Sequence, residues 1–230
     1  MTRRSALTLI GAPAFAQKNV QSDWLELFDG QTLKGWRWAR PGETGSPSWE
    51  VRDGLLRGAP GLAKDVYLLT EAEFTDFELR FEWRCAPKGN SGIKYRVQRY
   101  GDSARRIEPT GLEYQITDDE ANPDALSTPK HCSGAIYDYI APTKSTPAKA
   151  GLWHQGAILA RGLHIEHWLD GERVVNVDLD SEAARKEFDQ SNRVESRRIL
   201  RLQEKRQSPI ALQIHDEEIC FRSIRLKLVA

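Results

Sequence analysis

From residue 77 to residue 84 the chain reads Phe77-Glu78-Leu79-Arg80-Phe81-Glu82-Trp83-Arg84, with every odd position apolar and every even one charged. A helix cannot sort that pattern onto two sides, whereas a strand does so at once, because successive side chains leave it in opposite directions. The same alternation recurs. Ile93-Lys94-Tyr95-Arg96-Val97-Gln98 sets Lys94, Arg96 and Gln98 on its polar side, and Leu112-Glu113-Tyr114-Gln115-Ile116-Thr117 sets out Glu113, Gln115 and Thr117. Ile210 to His215 places Gln213 and His215 together. Leu163 to Leu169 alternates less cleanly and stops at Asp170-Gly171, a strong hairpin signal, so the β-branched run Arg173 to Val177 is predicted as its returning strand. A last strand is expected near Ile219 to Leu228. Ser181 to Phe188 is the one helical candidate, a Ser cap followed by Glu-Ala-Ala-Arg-Lys-Glu-Phe.

Many short strands at this spacing, separated by Gly, Pro, Asn and Asp, predict an all-β fold: a sandwich or jelly roll of two antiparallel sheets. No repeat, linker or low-complexity tract divides the 230 residues, so residues 17–230 read as a single domain. Residues 1–16 read as a cleavable export signal: Arg3-Arg4, an apolar run from Ala6 to Ala16, and Ala14-Phe15-Ala16 as a small-x-small cleavage site. The expected location is periplasmic or secreted. The run is too short to cross a bilayer, and no other segment reads as a membrane span.

Charge narrows the partners. Lys+Arg and Asp+Glu both number 33, so the formal net charge is zero and no basic stripe points to nucleic acid. Seven Trp supply flat faces suited to a core or to sugar rings. The three cysteines, Cys85, Cys132 and Cys220, allow at most one disulfide and match no zinc spacing. Cys85 and Cys220 lie in strand-like runs and read as buried thiols.

The polar strand faces carry the candidate chemistry. Lys94, Arg96, Gln98, Glu113, Gln115 and Thr117 mix charges with amides, and if their two strands pair, Arg96 and Glu113 approach across the ladder. A face lined this way offers the donors and acceptors that vicinal hydroxyls require. Gly89-Asn90-Ser91-Gly92 is expected to turn tightly and let backbone approach closely. His215 falls on a polar side, His131 in a loop, and His167 on the apolar side with Leu163, Ile165 and Leu169. Phosphate-binding loops, Ser-His-Asp signatures and the acid pair of ordinary glycosidases are not recognisable. A divalent metal is possible, but no ligand cluster identifies one.

An ordered set of short motifs carries a family likeness. It opens with Leu27-Phe28-Asp29-Gly30, Leu33-Lys34-Gly35-Trp36 and Trp49-Glu50-Val51-Arg52-Asp53-Gly54. Gly89-Asn90-Ser91-Gly92-Ile93, Gly111-Leu112-Glu113-Tyr114-Gln115-Ile116 and Gly134-Ala135-Ile136-Tyr137-Asp138 follow. Ile165-Glu166-His167-Trp168-Leu169, Leu212-Gln213-Ile214-His215 and Phe221-Arg222-Ser223-Ile224 complete it. Together they resemble the 3-keto-disaccharide hydrolase family over about residues 24 to 229.

The resemblance implies a concanavalin A-like jelly roll that cleaves glycosides already oxidised at carbon 3, in concert with a sugar 3-dehydrogenase. The ketone acidifies the carbon 2 hydrogen; a base removes it and the enolate expels the glycosidic oxygen, after which water adds. Carried over onto this chain, the catalytic set is Glu113 as base or metal ligand, Arg96 as enolate-side cation, and His167 or His215 as acid or second ligand. Gln115, Lys94, Asn90, Asp118 and Tyr137 are the expected substrate-binding residues. Two other classes compete: a non-catalytic carbohydrate-binding module and a scaffold domain. The chain departs from the family pattern at Trp153-His154, where Trp-Asn is usual, at Asp170-Gly171, where Asn-Gly is usual, and at Asp216, where Gly usually follows the histidine.

Overall fold

The computed structural model describes residues 23–39, 48–59, 66–99, 109–143, 146–190, 207–215 and 217–229, except the side chains of residues 66, 98 and 99. The predicted export signal lies outside them. The strands are β1 (Leu25–Glu26), β2 (Trp36–Trp38), β3 (Trp49–Arg52), β4 (Leu55–Gly58), β5 (Val66–Thr70), β6 (Phe77–Cys85) and β7 (Asn90–Arg99). They continue as β8 (Pro109–Thr117), β9 (His154–Arg161), β10 (His164–Leu169), β11 (Glu172–Asp178), β12 (Ala211–Ile214) and β13 (Ile219–Leu228).

They form two sheets with every pairing antiparallel. The larger runs β11-β10-β9-β6-β13-β4-β3, with β1 against β13; the smaller runs β2-β5-β12-β7-β8. The alternating pattern explains the sandwich. Phe77, Leu79, Phe81 and Trp83 of β6 are all at most 2% exposed and meet Ile93, Tyr95, Tyr114, Ile116 and Leu212 from the smaller sheet. Each such buried side chain contributes on the order of 1.5–3 kcal/mol. The two-sheet, all-β expectation therefore holds.

Local signals also hold where their chemistry is specific. Asp170 and Gly171 both adopt positive φ, 48° and 84°, as the two central residues of a hairpin turn joining β10 to β11. Helix α1 (Pro123–Ser127) is a short turn, and α2 (Glu182–Gln190) is the helix expected from Ser181. Ser181 Oγ caps it by accepting the Ala184 amide at 3.2 Å, and α2 buries Phe188 against Tyr139, ring centroids 4.3 Å apart. All three cysteines are free; burial pushes the Cys85 thiol up to about 12.

Two features break the alternation. A β-bulge lies between Tyr95 and Gln98, with Arg96 at φ 52°. It puts Val97, rather than Arg96, on the outer side with Tyr67, Leu69 and Ala211. Second, residues 134–137 run along the free edge of β8. Gly134 donates to the Gln115 carbonyl at 2.9 Å, Gln115 to that of Ala135 at 3.1 Å, and Tyr137 to that of Glu113 at 3.0 Å. This extends the smaller sheet by one short segment.

Candidate active site

Strand register fixes which side chains share the outer face of the smaller sheet. Leu69, Ala211, Lys94 and Glu113 stand opposite one another in one row, and Tyr67, Gln213, Gly92 and Gln115 in the next. Asn90 and Thr117 pair in a third, with His215 following β12 alongside Asn90. Tyr137 continues the first row beyond Glu113, and Ala135 the second beyond Gln115. Small residues, Gly92, Ala135 and Ala211, thus floor a face walled by polar groups of β7 and β8, with Leu69 and Val97 forming an apolar border.

Gly92 has a specific task. A Cβ there would fall 2.2 Å from Glu113 Oε1 and 2.8 Å from its Cδ, so the carboxylate lies across the space the missing side chain leaves. Asn90 to Gly92 belong to β7, and the tight turn expected of this motif is made one step earlier, by the Gly89 amide donating to the Ala86 carbonyl.

The polar groups form one connected set. Glu113 Oε2 is 3.6 Å from Lys94 Nζ, and both side chains are nearly buried, at 11% and 15% exposure. Lys94 donates to the Tyr67 hydroxyl oxygen at 3.1 Å, and Gln213 Nε2 donates to the same oxygen at 3.2 Å. Gln115 Nε2 donates to Asn90 Oδ1 at 3.1 Å. Gln115 is 1% exposed, yet its Oε1 has no hydrogen-bond partner among the described residues. An unsatisfied buried acceptor costs roughly 1–3 kcal/mol, which a ligand hydroxyl would return.

At the rim, Tyr137 donates to Asp124 Oδ2 at 2.9 Å, and its ring stacks on His131 at 4.4 Å. His131 Nδ1 lies 2.9 Å from Asp124 Oδ1 and Nε2 3.3 Å from Asp138 Oδ1, so two carboxylates fix the imidazole.

The structure brings together Glu113, Lys94, Gln115, Asn90, Tyr137 and His215 on this face. It does not bring Arg96, His167 or Asp118 there. The bulge turns Arg96 away: its guanidinium donates to the Gly162 carbonyl at 2.6 Å and reaches Asp76 at 3.5 Å, bracing the sandwich edge. His167 is fully buried between the sheets, with Nε2 at 2.8 Å from the Tyr95 hydroxyl and Nδ1 at 2.8 Å from the Gly134 carbonyl. Burial lowers its pKa to about 4. Its place on the apolar side of β10 foretold this, and the catalytic expectation is corrected. Asp118, at 5% exposure, accepts the Lys88 amide at 2.8 Å and so fastens the turn before β7.

Sequence reasoning missed Tyr67 and overlooked the contact it makes with Lys94 and Gln213. A single Tyr in Val66-Tyr67-Leu68-Leu69 gives no signal until β5 is known to pair with β12.

No three metal-ligating side chains converge among the described residues. The donor set on this face is one carboxylate held by an ammonium, three amides, two phenols and the His215 imidazole; its one anionic ligand is already paired with Lys94, which does not suit a divalent cation. A second concavity, about 530 Å³, lies outside the larger sheet and is lined by Glu78, Arg80, Glu82, Glu166, Trp168 and Arg225. Its carboxylates are engaged: Glu78 with Arg80 at 2.6 Å, Glu82 with Arg222 at 2.7 Å, Glu166 with Arg173 at 2.8 Å. They form a solvated, salt-bridged surface and not a poised base.

The profile of the 3-keto-alpha-glucoside-1,2-lyase-like domain matches residues 23–227. The chain belongs to this family. A 3-keto-disaccharide hydrolase of Bacteroides thetaiotaomicron is 27% identical over 237 residues, covering 93% of this chain and 81% of that protein. Two crystal structures from Parabacteroides distasonis, each named as a candidate glycosyl hydrolase, share the fold. One has a TM-score of 0.77 at 23% identity, covering 90% of this chain and 94% of its own. The other has a TM-score of 0.66 at 24% identity, covering 90% and 99%. Family membership over nearly the whole described fold supports a carbohydrate-directed enzyme.

Proposed function

We propose that this protein cleaves the glycosidic bond of 3-keto-glycosides on the outer face of the smaller sheet, by base-assisted elimination followed by hydration. The observation that carries the reading is the nearly buried Glu113–Lys94 pair beside the Gln115 oxygen, which has no hydrogen-bond partner among the described residues. A 3-keto-sugar asks for a base at the carbon 2 hydrogen, a cation near the ketone oxygen, and amides for the remaining hydroxyls. Glu113 is the base. Lys94 takes the role that the sequence assigned to Arg96 and holds the enolate oxygen. Gln115 and Asn90 bind hydroxyls, and Tyr137 and His215 border the sugar.

The family name and the Bacteroides relative support the substrate class. The ketone must come from a separate oxidation at carbon 3, so a sugar 3-dehydrogenase is the expected supplier. Residues 1–16 support export to the periplasm or beyond, which N-terminal sequencing of the mature protein checks.

The deciding experiment incubates purified protein with a 3-keto-glucoside and follows aglycone release. Wild type is expected to turn over, and Glu113→Gln to lose at least about a hundredfold with an unchanged melting temperature. Sugar binding without turnover would instead favour a carbohydrate-binding module; near-normal turnover by Glu113→Gln would remove Glu113 from the mechanism.

A further inference from the structure

Tyr67 is absent from the role assignments above, yet it is built into the same network. We infer that Tyr67 is the acid that protonates the departing glycosidic oxygen, and that the site is therefore made for alcohol leaving groups, such as a second sugar, which depart poorly as alkoxides. The inference rests on the reading of Glu113 and Lys94 as base and cation.

The geometry is the ground for it. The Tyr67 hydroxyl oxygen accepts two hydrogen bonds, from the Lys94 ammonium at 3.1 Å and the Gln213 amide at 3.2 Å. An oxygen that accepts from an ammonium and an amide holds negative charge at low cost, which is the form a phenol takes after giving up its proton. Tyr67 is 5% exposed, so those two bonds act where water competes little. Glu113 approaches the same ammonium at 3.6 Å from the β8 side, while Tyr67 approaches it from the β5 side. Base and acid thus flank one cation. The hydrogen removed, on carbon 2, and the oxygen released, on carbon 1, sit on adjacent carbons, so a base and an acid that both reach one ammonium are close enough together to serve them.

The step balances. Glu113 takes the carbon 2 hydrogen as a proton, and the electron pair left behind forms the carbon 1–carbon 2 double bond by way of the enolate. The carbon 1–oxygen bond breaks, and the oxygen takes the Tyr67 phenolic proton. In the hydration half, the Tyr67 phenolate removes a proton from the water that attacks carbon 1, and Glu113 returns its proton to carbon 2. No oxidant or reductant is consumed, and both residues finish as they began.

Leaving-group dependence tests it. Wild type, Tyr67→Phe and Glu113→Gln are each assayed on two 3-keto-glucosides, one with a p-nitrophenyl and one with a methyl aglycone. A p-nitrophenolate leaves without a proton and a methoxide does not. For Tyr67→Phe, kcat on the methyl substrate is expected to fall about a hundredfold further than on the aryl substrate. Glu113→Gln is expected to fall alike on both. A circular dichroism spectrum and melting temperature close to wild type would show that Tyr67→Phe folds. Equal losses on the two substrates, or no loss on either, would overturn the acid role while leaving the base intact. Loss-free Glu113→Gln, or wild type inert on both substrates, would instead bring down the reading on which it depends.

Discussion

His154 and Asp170 meet: Nδ1 of the imidazole lies 2.7 Å from Oδ2 of the carboxylate, whose other oxygen accepts the Gln155 amide at 2.8 Å. These are two of the positions at which the chain departs from the family's usual residues, Asn in each case. Distant in sequence, they are neighbours across the β9–β10 ladder, so the two departures form one replacement of an amide pair by an imidazole and a carboxylate. The ring also packs on Trp83, centroids 4.8 Å apart, and Nε2 lies 3.1 Å from the Lys149 carbonyl. Either single change, His154→Asn or Asp170→Asn, leaves one member without its partner. Each is expected to cost about 1 kcal/mol, while the double variant returns close to wild-type stability, giving a coupling energy of about 2 kcal/mol in a double-mutant cycle. Urea denaturation of the four proteins measures it; additive losses would mean the pair is not coupled.

His167 predicts a pH dependence of stability. Burial between the sheets holds its pKa at about 4, below the unfolded value of 6.5. The fold therefore favours the neutral ring. The unfolded chain binds this proton between pH 6.5 and 4 and the native state does not, so stability rises with pH through that window. Its full contribution is present above the upper bound and is lost as pH falls to the lower one. The lost share is of the order of 3 kcal/mol. Tyr95 and Tyr114, the titratable groups packed on the ring, have pKa values raised by burial and stay neutral throughout. His167→Gln is expected to be less stable at pH 8 but to show a flatter stability profile across the window than wild type. Parallel profiles would assign the acid sensitivity to other groups.

The two sheets were legible because burial on one side writes itself into every second residue, as in β6. The site was legible only in part. Glu113, Lys94 and Gln115 stand in regular stretches of β8 and β7, where alternation assigns the face correctly. Arg96 follows the same rule on paper, but a one-residue bulge with positive φ reverses it, and nothing in Tyr95-Arg96-Val97 marks the insertion. Gly111, facing the bulge, is the nearest hint: a Cβ there would come within 2.5 Å of the Tyr95 carbonyl. Tyr67, and the contact Gln213 makes with it, were hidden for another reason. Their contact is made across a pairing between strands more than a hundred residues apart, and such pairing is decided by the sandwich as a whole.

Arg96 braces the edge of the sandwich and stands apart from the site. Its guanidinium ties the bulge to Gly162 and Asp76 and is 3% exposed, so truncation removes a buried charge from its partners. Arg96→Ala is expected to lose about 3 kcal/mol of stability. Below its melting transition, kcat per folded molecule on a 3-keto-glucoside should stay within about threefold of wild type, because no atom of Arg96 serves the site. A hundredfold fall in kcat with stability retained, the signature of a lost transition-state contact, would return Arg96 to the catalytic set.

Gly92 separates the architecture of the site from the stability of the fold. The three atoms nearest a methyl group at this position would all belong to the Glu113 side chain, with Oε1 at 2.2 Å and Cδ and Cγ at 2.8 Å. The strand can therefore keep its pairing while the carboxylate moves. Gly92 does not rely on positive φ, so alanine imposes no backbone strain. Gly92→Ala is accordingly expected to change the unfolding free energy by less than about 1 kcal/mol. Displacing the base by even an ångström is expected to lower kcat by about a hundredfold. Comparing the melting temperature with turnover of a 3-keto-glucoside decides the matter. If Gly92→Ala keeps its rate, Glu113 does not act from the position it holds over Gly92; if it unfolds, the glycine serves strand packing and not the carboxylate.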